Sequence, residues 1–279
     1  MESEFSRLLI LGWKVPEKDR DGIFTPNEIN EDTISFPSEG YSGEETNSEA
    51  TGFWAAERAK SIYDFLEKNG VKTLWEIGAG NGNAAIPLRD RGIDVIPVEP
   101  LRSGALTLSK NGFTTFQSNL EDLSFPDNSI EAIGAFDVLE HLEEPNEMLV
   151  EVLRILRPGG WFICSVPAYQ WLFSDFDISI GHYRRYSRKS LTKLINSAGL
   201  ETQSTISLFG YLILPALVLR RVPFLFGRRN EYLQTTTSTG GNSQLLEKLS
   251  PIFGILGRFE KFTKLPFGLS IVLISKKPN

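Results

Sequence analysis

A glycine-rich turn and an acid one strand later are the residues whose types and spacing first suggest chemistry. Residues 76–83 read Glu-Ile-Gly-Ala-Gly-Asn-Gly-Asn and follow a short apolar run that is typical of a buried strand. Glycines at a strand-to-helix turn let the backbone approach a ligand closely, so Gly78, Gly80 and Gly82 are predicted to border a binding site. Glu99 ends the next predicted strand, where a carboxylate can accept hydrogen bonds from both hydroxyls of a ribose.

The same turn departs from two common nucleotide-binding patterns. The dinucleotide fingerprint G-x-G-x-x-G requires a third glycine where Asn83 stands, and the Gly-Lys-Ser/Thr of a P-loop is missing. Glu76 lies two residues before the first glycine, where its charge would repel a pyrophosphate but suits a cationic ligand. The alternative role for Glu76 is that of a salt-bridge partner. These residues predict a ligand that has a ribose, carries positive charge and needs no phosphate.

The two histidines are the next candidates for chemistry, because their unperturbed pKa lies near neutral pH. His141 follows a predicted strand, and His182 lies in a loop beside Tyr183. Either ring can serve as a general base or can fix a substrate, and Tyr183 and Tyr169 are secondary candidates. The alternative for His141 is a polar contact at the start of a helix.

Arg184 and Arg185 are flanked by aromatic residues in the same loop. Such a pair can bind a carboxylate or phosphate in bidentate fashion and stack on a ring, so both are candidate substrate contacts together with Tyr169. The alternatives are that the pair binds the acidic N-terminal region or the nearby Asp175 and Asp177.

The elements that would position these residues alternate between strand-like and helix-like patterns. Predicted strands cover 71–77, 94–98, 113–117, 130–136, 161–166, 202–208 and 269–275, and predicted helices cover 50–69, 83–91, 101–110, 145–156 and 187–198. Strand–helix alternation with short connections predicts an α/β fold with a mainly parallel sheet that is covered on both faces.

Composition is that of a globular protein, with 279 residues, 41% hydrophobic and 23% charged. Charge is uneven: residues 1–50 carry a net −8, residues 51–181 a net −9 and residues 182–279 a net +11. The basic last third predicts an anionic partner, or else neutralisation by the acidic front of the chain. The first residues lack the basic start and cleavage site of a secretory signal, which predicts a cytoplasmic location.

Metal binding is not expected from the residue counts. One cysteine, Cys164, excludes a disulfide scaffold and a cysteine-built zinc site. Two histidines leave little for a histidine-rich centre. The sequence therefore predicts no resident metal.

With these motifs in place, the chain resembles the class I S-adenosylmethionine (SAM)-dependent methyltransferases over about residues 71–200. The segments that carry the resemblance are LWEIGAGNG (74–82), IPVEP (96–100), SNLEDLSFPDNSIEAI (118–133), AFDVLEHLEEP (135–145) and LRPGGWFICSVP (156–167). GHYRRYSRKSLTKLINSAGL (181–200) is similar to a bacterial subgroup with an H-x-R-R-Y segment before a helix.

The resemblance implies a Rossmann-like, seven-stranded mixed sheet with helices on both faces and an antiparallel last strand. It also implies SAM as the cofactor, with the side chain of Asn119 and the backbone of Leu120 beside the adenine. Phe136 either packs over the cofactor or fills the core. The last two strands would pair as a hairpin, 202–208 with 269–275.

Four regions follow from this assignment: an acidic N-terminal arm (1–50), a SAM-binding core (51–208), an apolar and basic insertion (209–268) and the final strand (269–279). Residues 209–226 are very apolar, but two arginines interrupt them and the uncharged run is short for a bilayer span. The segment is predicted to form a pocket wall for a lipid-linked acceptor, a peripheral membrane contact through 209–229 at the inner membrane face, or a buried cap.

The leading functional hypothesis is a SAM-dependent methyltransferase that acts on a small-molecule acceptor, which is anionic or lipid-linked. A nucleic-acid acceptor is disfavoured because the chain is acidic and has Phe-Asp-Val-Leu (136–139) instead of the Asn/Asp-Pro-Pro-aromatic segment that the resemblance associates with DNA methylation. The alternatives are a non-catalytic SAM-binding protein and, disfavoured by Asn83, an NAD(P)-dependent oxidoreductase. The methylated atom and the oligomeric state stay open.

Overall fold

The computed structural model describes residues 4–26, 34, 49–226 and 267–279. Its helices are α1 (Glu4–Ile10), α2 (Glu49–Lys68), α3 (Ala85–Arg89), α4 (Arg102–Lys110), α5 (Pro145–Ile155), α6 (Asp175–Ser179), α7 (Arg188–Ser197), α8 (Ile213–Ala216) and α9 (Val222–Leu225). Its strands are β1 (Thr73–Ile77), β2 (Asp94–Val98), β3 (Ile130–Phe136), β4 (Leu156–Pro167), β5 (Glu201–Leu208) and β6 (Ser270–Lys276).

The strands form one mixed sheet in the order β2-β1-β3-β4-β6-β5. β2, β1, β3 and β4 run parallel, whereas β6 is antiparallel to both of its neighbours. Thr202 pairs with Ser275 and Leu208 with Ser270, as the predicted final hairpin requires. The Rossmann-like α/β fold with an antiparallel last strand is therefore confirmed.

The expectation of seven strands is not confirmed, since the sheet formed by the described residues has six. The predicted strand at 113–117 makes isolated bridges only, from Phe116 to Val98 and to Phe24. On one side, Phe116 is hydrogen-bonded to β2 through its backbone, because its N–H donates to the Pro97 carbonyl. On the other side, the Gln117 N–H donates to the carbonyl of Phe24. On each side only one residue pair forms a bridge, which is too few for a strand ladder.

Apolar side chains on both faces of the sheet explain why β1 and β2 are almost entirely buried. Trp75 and Leu74 are neighbours on β1 and point to opposite faces, where they join two separate core clusters. Leu191 of α7 belongs to the Trp75 cluster, and Leu66 of α2 belongs to the Leu74 cluster. The parallel strands thus lie between two helical layers, and their carboxyl ends line up along one edge of the sheet.

The beginning of the chain packs against the core. Trp13 is buried, stacks on Phe125 at a ring-centroid distance of 4.9 Å and donates from Nε1 to the Leu123 carbonyl at 2.8 Å. Arg102 of α4 pairs with Asp19 and Asp21. The described part of the predicted arm is therefore docked, while residues 27–33 and 35–48 lie outside the described residues.

The first part of the predicted insertion is helical and follows β5. α8, a π-helical turn (Leu217–Arg221) and α9 are continuous, and the Arg221 guanidinium donates to the Phe173 carbonyl at 2.6 Å. An apolar stripe on these helices is exposed, comprising Leu214, Val218, Val222 and Leu225. Among the described residues, no helix combines the length and apolar character that crossing a bilayer requires. Residues 227–266 lie outside the description.

Candidate functional site

The glycine turn after β1 has a backbone that favours glycine. Gly78, Gly80 and Gly82 have φ values of 66°, 57° and 87°, in the left-handed region. At Gly78 an added Cβ would lie 2.7 Å from Cγ2 of Val138, in the turn that follows β3. The glycine turn is therefore pressed against the loop that carries Glu140 and His141.

Glu99 is buried at the end of β2 and is held by this turn. Its Oε2 accepts from the Gly80 N–H at 2.7 Å, and its Oε1 accepts from the Leu101 N–H at 2.9 Å. Gly104 of α4 makes the approach possible, because a Cβ there would lie 2.9 Å from Cγ of Glu99. The sequence analysis missed Gly104. Its signal was a glycine inside a predicted helix, which costs about 1 kcal/mol relative to alanine without a packing reason.

Glu76 lies at the carboxyl end of β1 with only 2% of its surface exposed. Its Oε2 has no hydrogen-bond partner within the described part of the chain. Burial raises the pKa of Glu76 to about 8, an effect that Arg58 opposes and Glu99 reinforces. A buried carboxylate with an unsatisfied oxygen fits a ligand that brings a positively charged N–H donor.

The structure provides less support for the three residues that are predicted to contact the adenine and the rest of the cofactor. Asn119 is exposed, and its Nδ2 lies 3.5 Å from Oδ2 of Asp122. The side chain of Leu120 is buried in the core, and this position does not test the predicted contact between the Leu120 backbone and the adenine. Phe136 packs into the core beside Gly134, where an added Cβ would lie 2.8 Å from its ring. The ligand contacts of Asn119, Leu120 and Phe136 remain predictions.

Arg58 is a residue that the site assignment from sequence did not include. α2 carries it across the carboxyl edge of the sheet, where it forms an ion pair with Asp137 and donates to Ser165 Oγ at 3.3 Å. Asp137 has a φ of 57°, an unusual conformation for a residue with a side chain. The Arg58 guanidinium also opposes the rise in the pKa of Glu76 and of Glu140, so its charge acts on both buried carboxyl groups.

The two histidines come together around Glu140, although 41 residues separate them in the chain. Their rings meet edge to face with centroids 4.6 Å apart, and His182 Nε2 lies 3.9 Å from Glu140 Oε1. Glu140 is fully buried, and neither carboxylate oxygen has a hydrogen-bond partner among the described residues. Burial raises the pKa of Glu140 well above its usual range, and Asp137 adds to this effect.

Burial also lowers the pKa of His141 to about 4, with His182 contributing in the same direction. The His141 ring is therefore neutral at pH 7. It makes a hydrogen bond to the backbone of Gly181, in the segment that precedes His182.

Asp177 orients the second histidine. Its Oδ1 lies 3.0 Å from His182 Nδ1 and 2.7 Å from Nε of Arg185. Burial alone would raise the pKa of Asp177, but these two partners hold it below its usual value. This contact fixes the orientation of the ring, so that Nε2 faces Glu140.

The segment from His182 to Tyr186 crosses the carboxyl ends of β3 and β4. The Tyr183 N–H donates to the Glu140 carbonyl at 2.8 Å, and the buried Tyr186 hydroxyl donates to the Leu139 carbonyl at 3.0 Å. The Tyr183 side chain is exposed, and Arg184 lies 5.8 Å from its ring centroid. Tyr169 stacks on Trp171 with ring centroids 5.5 Å apart.

The structure therefore gathers His141, His182, Tyr183 and Tyr169 near one edge of the sheet. Arg184 is half-buried and donates to the Glu143 carbonyl at 2.7 Å, whereas the Arg185 side chain is buried in its pair with Asp177. The substrate contacts of Arg184, Arg185 and Tyr169 remain predictions.

Sequence comparison identifies the family. A family model described as a methyltransferase domain matches residues 52–205, which is more than half of the chain. A probable S-adenosylmethionine-dependent methyltransferase of Mycolicibacterium smegmatis is 36% identical over 94 residues, covering 33% of this chain and 36% of that protein. An uncharacterized methyltransferase of Mycolicibacterium paratuberculosis is 27% identical over 154 residues, covering 50% of this chain and 60% of that one. The matches thus span about a third to three fifths of these relatives.

Two solved structures share the fold. A putative sarcosine dimethylglycine methyltransferase from Galdieria sulphuraria superposes with a TM-score of 0.51 at 15% identity, covering 79% of this chain and 85% of that one. A SAM-dependent methyltransferase from Archaeoglobus fulgidus gives a TM-score of 0.50 at 15% identity, with coverage of 78% and 94%. Together with the matched domain and the glycine turn held by Glu99, these findings lead to one conclusion: the chain belongs to the class I S-adenosylmethionine-dependent methyltransferase family.

Proposed function

We propose that this protein transfers a methyl group from S-adenosylmethionine to a small-molecule acceptor. The observation that carries the proposal is the pair of buried carboxylates at the ends of adjacent parallel strands. Glu99 is fixed against the glycine turn, and Glu76 keeps one unsatisfied oxygen beside it. One carboxylate suits a ribose and the other suits an ammonium group, and SAM carries both.

The chain's own residues bind and orient this cofactor, whose sulfonium supplies an activated methyl group. A carboxylate has about four lone-pair sites, so Glu99 can keep its two backbone N–H bonds and still accept from ribose hydroxyls. The turn at Gly80 allows close backbone approach, and burial around Glu76 excludes water from the charged end of the ligand.

The acceptor side is assigned to the residues over the ends of β3 and β4. His141 and His182 act on the acceptor, with Tyr183 and Tyr169 beside it, as the sequence predicts. Arg184 is a half-buried cation in this region whose one recorded hydrogen bond is to the Glu143 carbonyl, which supports an anionic acceptor group. Holding the acceptor in line with the methyl group is the main task of such a site.

The cofactor assignment is tested by Glu99→Ala and Glu99→Gln. Both variants remove the negative charge that would bind the ribose, and we expect at least a tenfold loss of SAM affinity by isothermal titration calorimetry. Asp94→Asn is the matched control, since Asp94 is the exposed acid at the opposite end of β2. Unchanged SAM affinity in both Glu99 variants would contradict the assignment.

Transfer itself is tested by incubating the protein with methyl-labelled SAM and small-molecule extracts. We expect label in the small-molecule fraction, and we expect His141→Ala and His182→Ala to lower this rate far more than they lower SAM affinity. Binding of SAM without any transfer across diverse extracts would favour the alternative, a non-catalytic SAM-binding protein.

We also propose that the acceptor is lipid-linked or that the protein contacts a membrane surface through residues 209–229. The supporting observation is the exposed apolar stripe on α8 and α9, with Arg221 on the same helical segment. A helix with one apolar face beside basic residues is typical of in-plane binding at a lipid headgroup layer.

A further inference from the structure

The cluster of Glu140, His141 and His182 has the donor set of a metal site. The three residues offer one carboxylate oxygen and two imidazole nitrogens, and one ligand atom from each lies within 4.8 Å of the others. We propose that these three residues bind a divalent transition-metal ion of the Zn²⁺ type. This proposal departs from the expectation of no metal, because residue counts alone do not show that the only two histidines converge.

The burial of Glu140 and its lack of hydrogen-bond partners favour a bound cation beside it. Its carboxylate is 0% exposed, and both oxygens lack hydrogen-bond partners among the described residues. The nearby arginines bond to other acids, Arg58 to Asp137 and Arg185 to Asp177. A buried carboxylate with no donor is costly, and coordination of a cation removes that cost.

Both imidazoles are oriented as metal ligands usually are. Nδ1 of His182 contacts Asp177, and Nε2 of the same ring faces Glu140 at 3.9 Å from Oε1. His141 makes its own hydrogen bond to the backbone of Gly181. Ligating histidines almost always donate their other ring N–H to a carboxylate or a backbone carbonyl, which fixes the tautomer.

Two imidazoles and one carboxylate favour a transition metal over Mg²⁺ or Ca²⁺, which prefer all-oxygen ligands. Ligand atoms of a tetrahedral zinc site lie about 3.4 Å apart, so small side-chain movements from the described positions are sufficient. Three protein ligands leave one position open. Resting on the proposed function, the open position would hold an oxygen of the methyl acceptor.

The test uses the full chain without a polyhistidine tag. Metal content of the purified protein is measured by mass spectrometry, and the chelated protein is then titrated with Co²⁺ and with Zn²⁺. We expect one ion per chain, and a visible Co²⁺ absorption band of a four- or five-coordinate site that Zn²⁺ abolishes. A wild-type chain that binds neither ion would overturn the proposal without any variant.

Variants assign the ligands. We expect His141→Ala, His182→Ala and Glu140→Gln each to weaken Co²⁺ binding at least a hundredfold, and Asp177→Asn to weaken it by about 10- to 100-fold. Glu143→Gln is the control, because Glu143 is an exposed acid in the same loop, and its affinity should stay within twofold. Thermal unfolding confirms that each variant is folded. Full Co²⁺ affinity in a folded double variant that lacks both histidines would contradict the site.

SAM calorimetry separates this inference from the proposed function. If SAM binds and label is transferred while the chelated protein binds neither Co²⁺ nor Zn²⁺, the metal site is wrong and the methyltransferase stands. If Co²⁺ binds at these ligands but no acceptor is methylated, the metal site stands and the proposed function fails.

Discussion

At the scale of single residues, the site is defined by acids that the fold buries. Glu76 and Glu140 each end or follow a parallel strand, and each has carboxylate oxygens without a partner in the described chain. The charge of Arg58 acts on the pKa of both, but its ion pair is with Asp137. Both carboxylates are therefore maintained at a cost in stability, which is typical of functional positions.

The pH dependence of stability tests the state of Glu76. Burial sets its pKa near 8 in the folded protein, against 4.5 as its ordinary value. Because the folded pKa is the higher one, its contribution to stability is full below pH 4.5 and is lost as the pH rises through 8. In cofactor-free protein we expect wild type to lose about 2 kcal/mol relative to Glu76→Gln between pH 6 and pH 8.

The measurement is urea unfolding of the two proteins at matched pH values. Arg58 and Glu99 are the charged groups that act on Glu76, and both are present in each protein, so the difference isolates the carboxyl. A difference in unfolding free energy that stays flat from pH 6 to pH 8 would show that Glu76 is already ionised in the folded state.

At the scale of elements, the N-terminal segment is part of the core. Trp13 stacks on Phe125 and meets Trp75 edge to face at 5.9 Å. Phe24 stacks on Phe116 with centroids 4.7 Å apart and bridges it through the backbone. Phe116 lies next to β2 and accepts from the N–H of Glu99, the residue that follows β2, so this aromatic packing supports the cofactor side of the sheet.

Substitution of Trp13 tests this docking. Trp13→Ala removes a buried indole and leaves the Leu123 carbonyl without its donor, and we expect a loss of about 3–5 kcal/mol in unfolding free energy by urea titration. Leu11→Ala is the control on the same segment, where the side chain is exposed and the change should stay within about 0.5 kcal/mol. Equal stability of Trp13→Ala and wild type would show that the segment does not pack on the core.

At the scale of the whole molecule, the parallel strands bring separate motifs to one edge of the sheet. The glycine turn, the loop with Glu140 and His141, and the segment from His182 to Tyr186 all follow or cross carboxyl ends of β1, β3 and β4. In open α/β sheets this edge is where ligands bind. The exposed stripe on α8 and α9 connects to the same region through Arg221 and Phe173.

Flotation with vesicles of phosphatidylglycerol and phosphatidylethanolamine tests the lipid contact. We expect wild type to float with the vesicles and the double variant Leu214→Glu/Val218→Glu to float at least fivefold less, because two charges would enter the apolar layer. Leu9→Glu/Ile10→Glu is the matched control, since it adds the same charge at exposed apolar residues of α1. Equal flotation of both double variants would place the contact elsewhere.

Patterns within the sequence are sufficient to predict the fold class and the cofactor side of the site. Local signals were sufficient there, because strand periodicity, the glycines of 78–82 and the acid at Glu99 lie within one strand–helix–strand unit. The bounds of β2 and β3 match the predicted ones, and the final hairpin pairs as expected. The seventh strand is not confirmed, because Phe116 makes only isolated bridges, one to Val98 and one to Phe24, which is distant in sequence.

Which groups share an environment depends on the packed chain. Arg58, Gly104 and Glu140 were not assigned to the site from the sequence, since burial and contacts such as that between Arg58 and Asp137, 79 residues apart, have no local pattern. The convergence of His141 and His182 on Glu140 depends on Asp177 and on the hydrogen bonds that hold the segment 182–186 over β3 and β4. A pattern of residue types predicts which groups are present, whereas only the packed chain fixes their distances and their access to water.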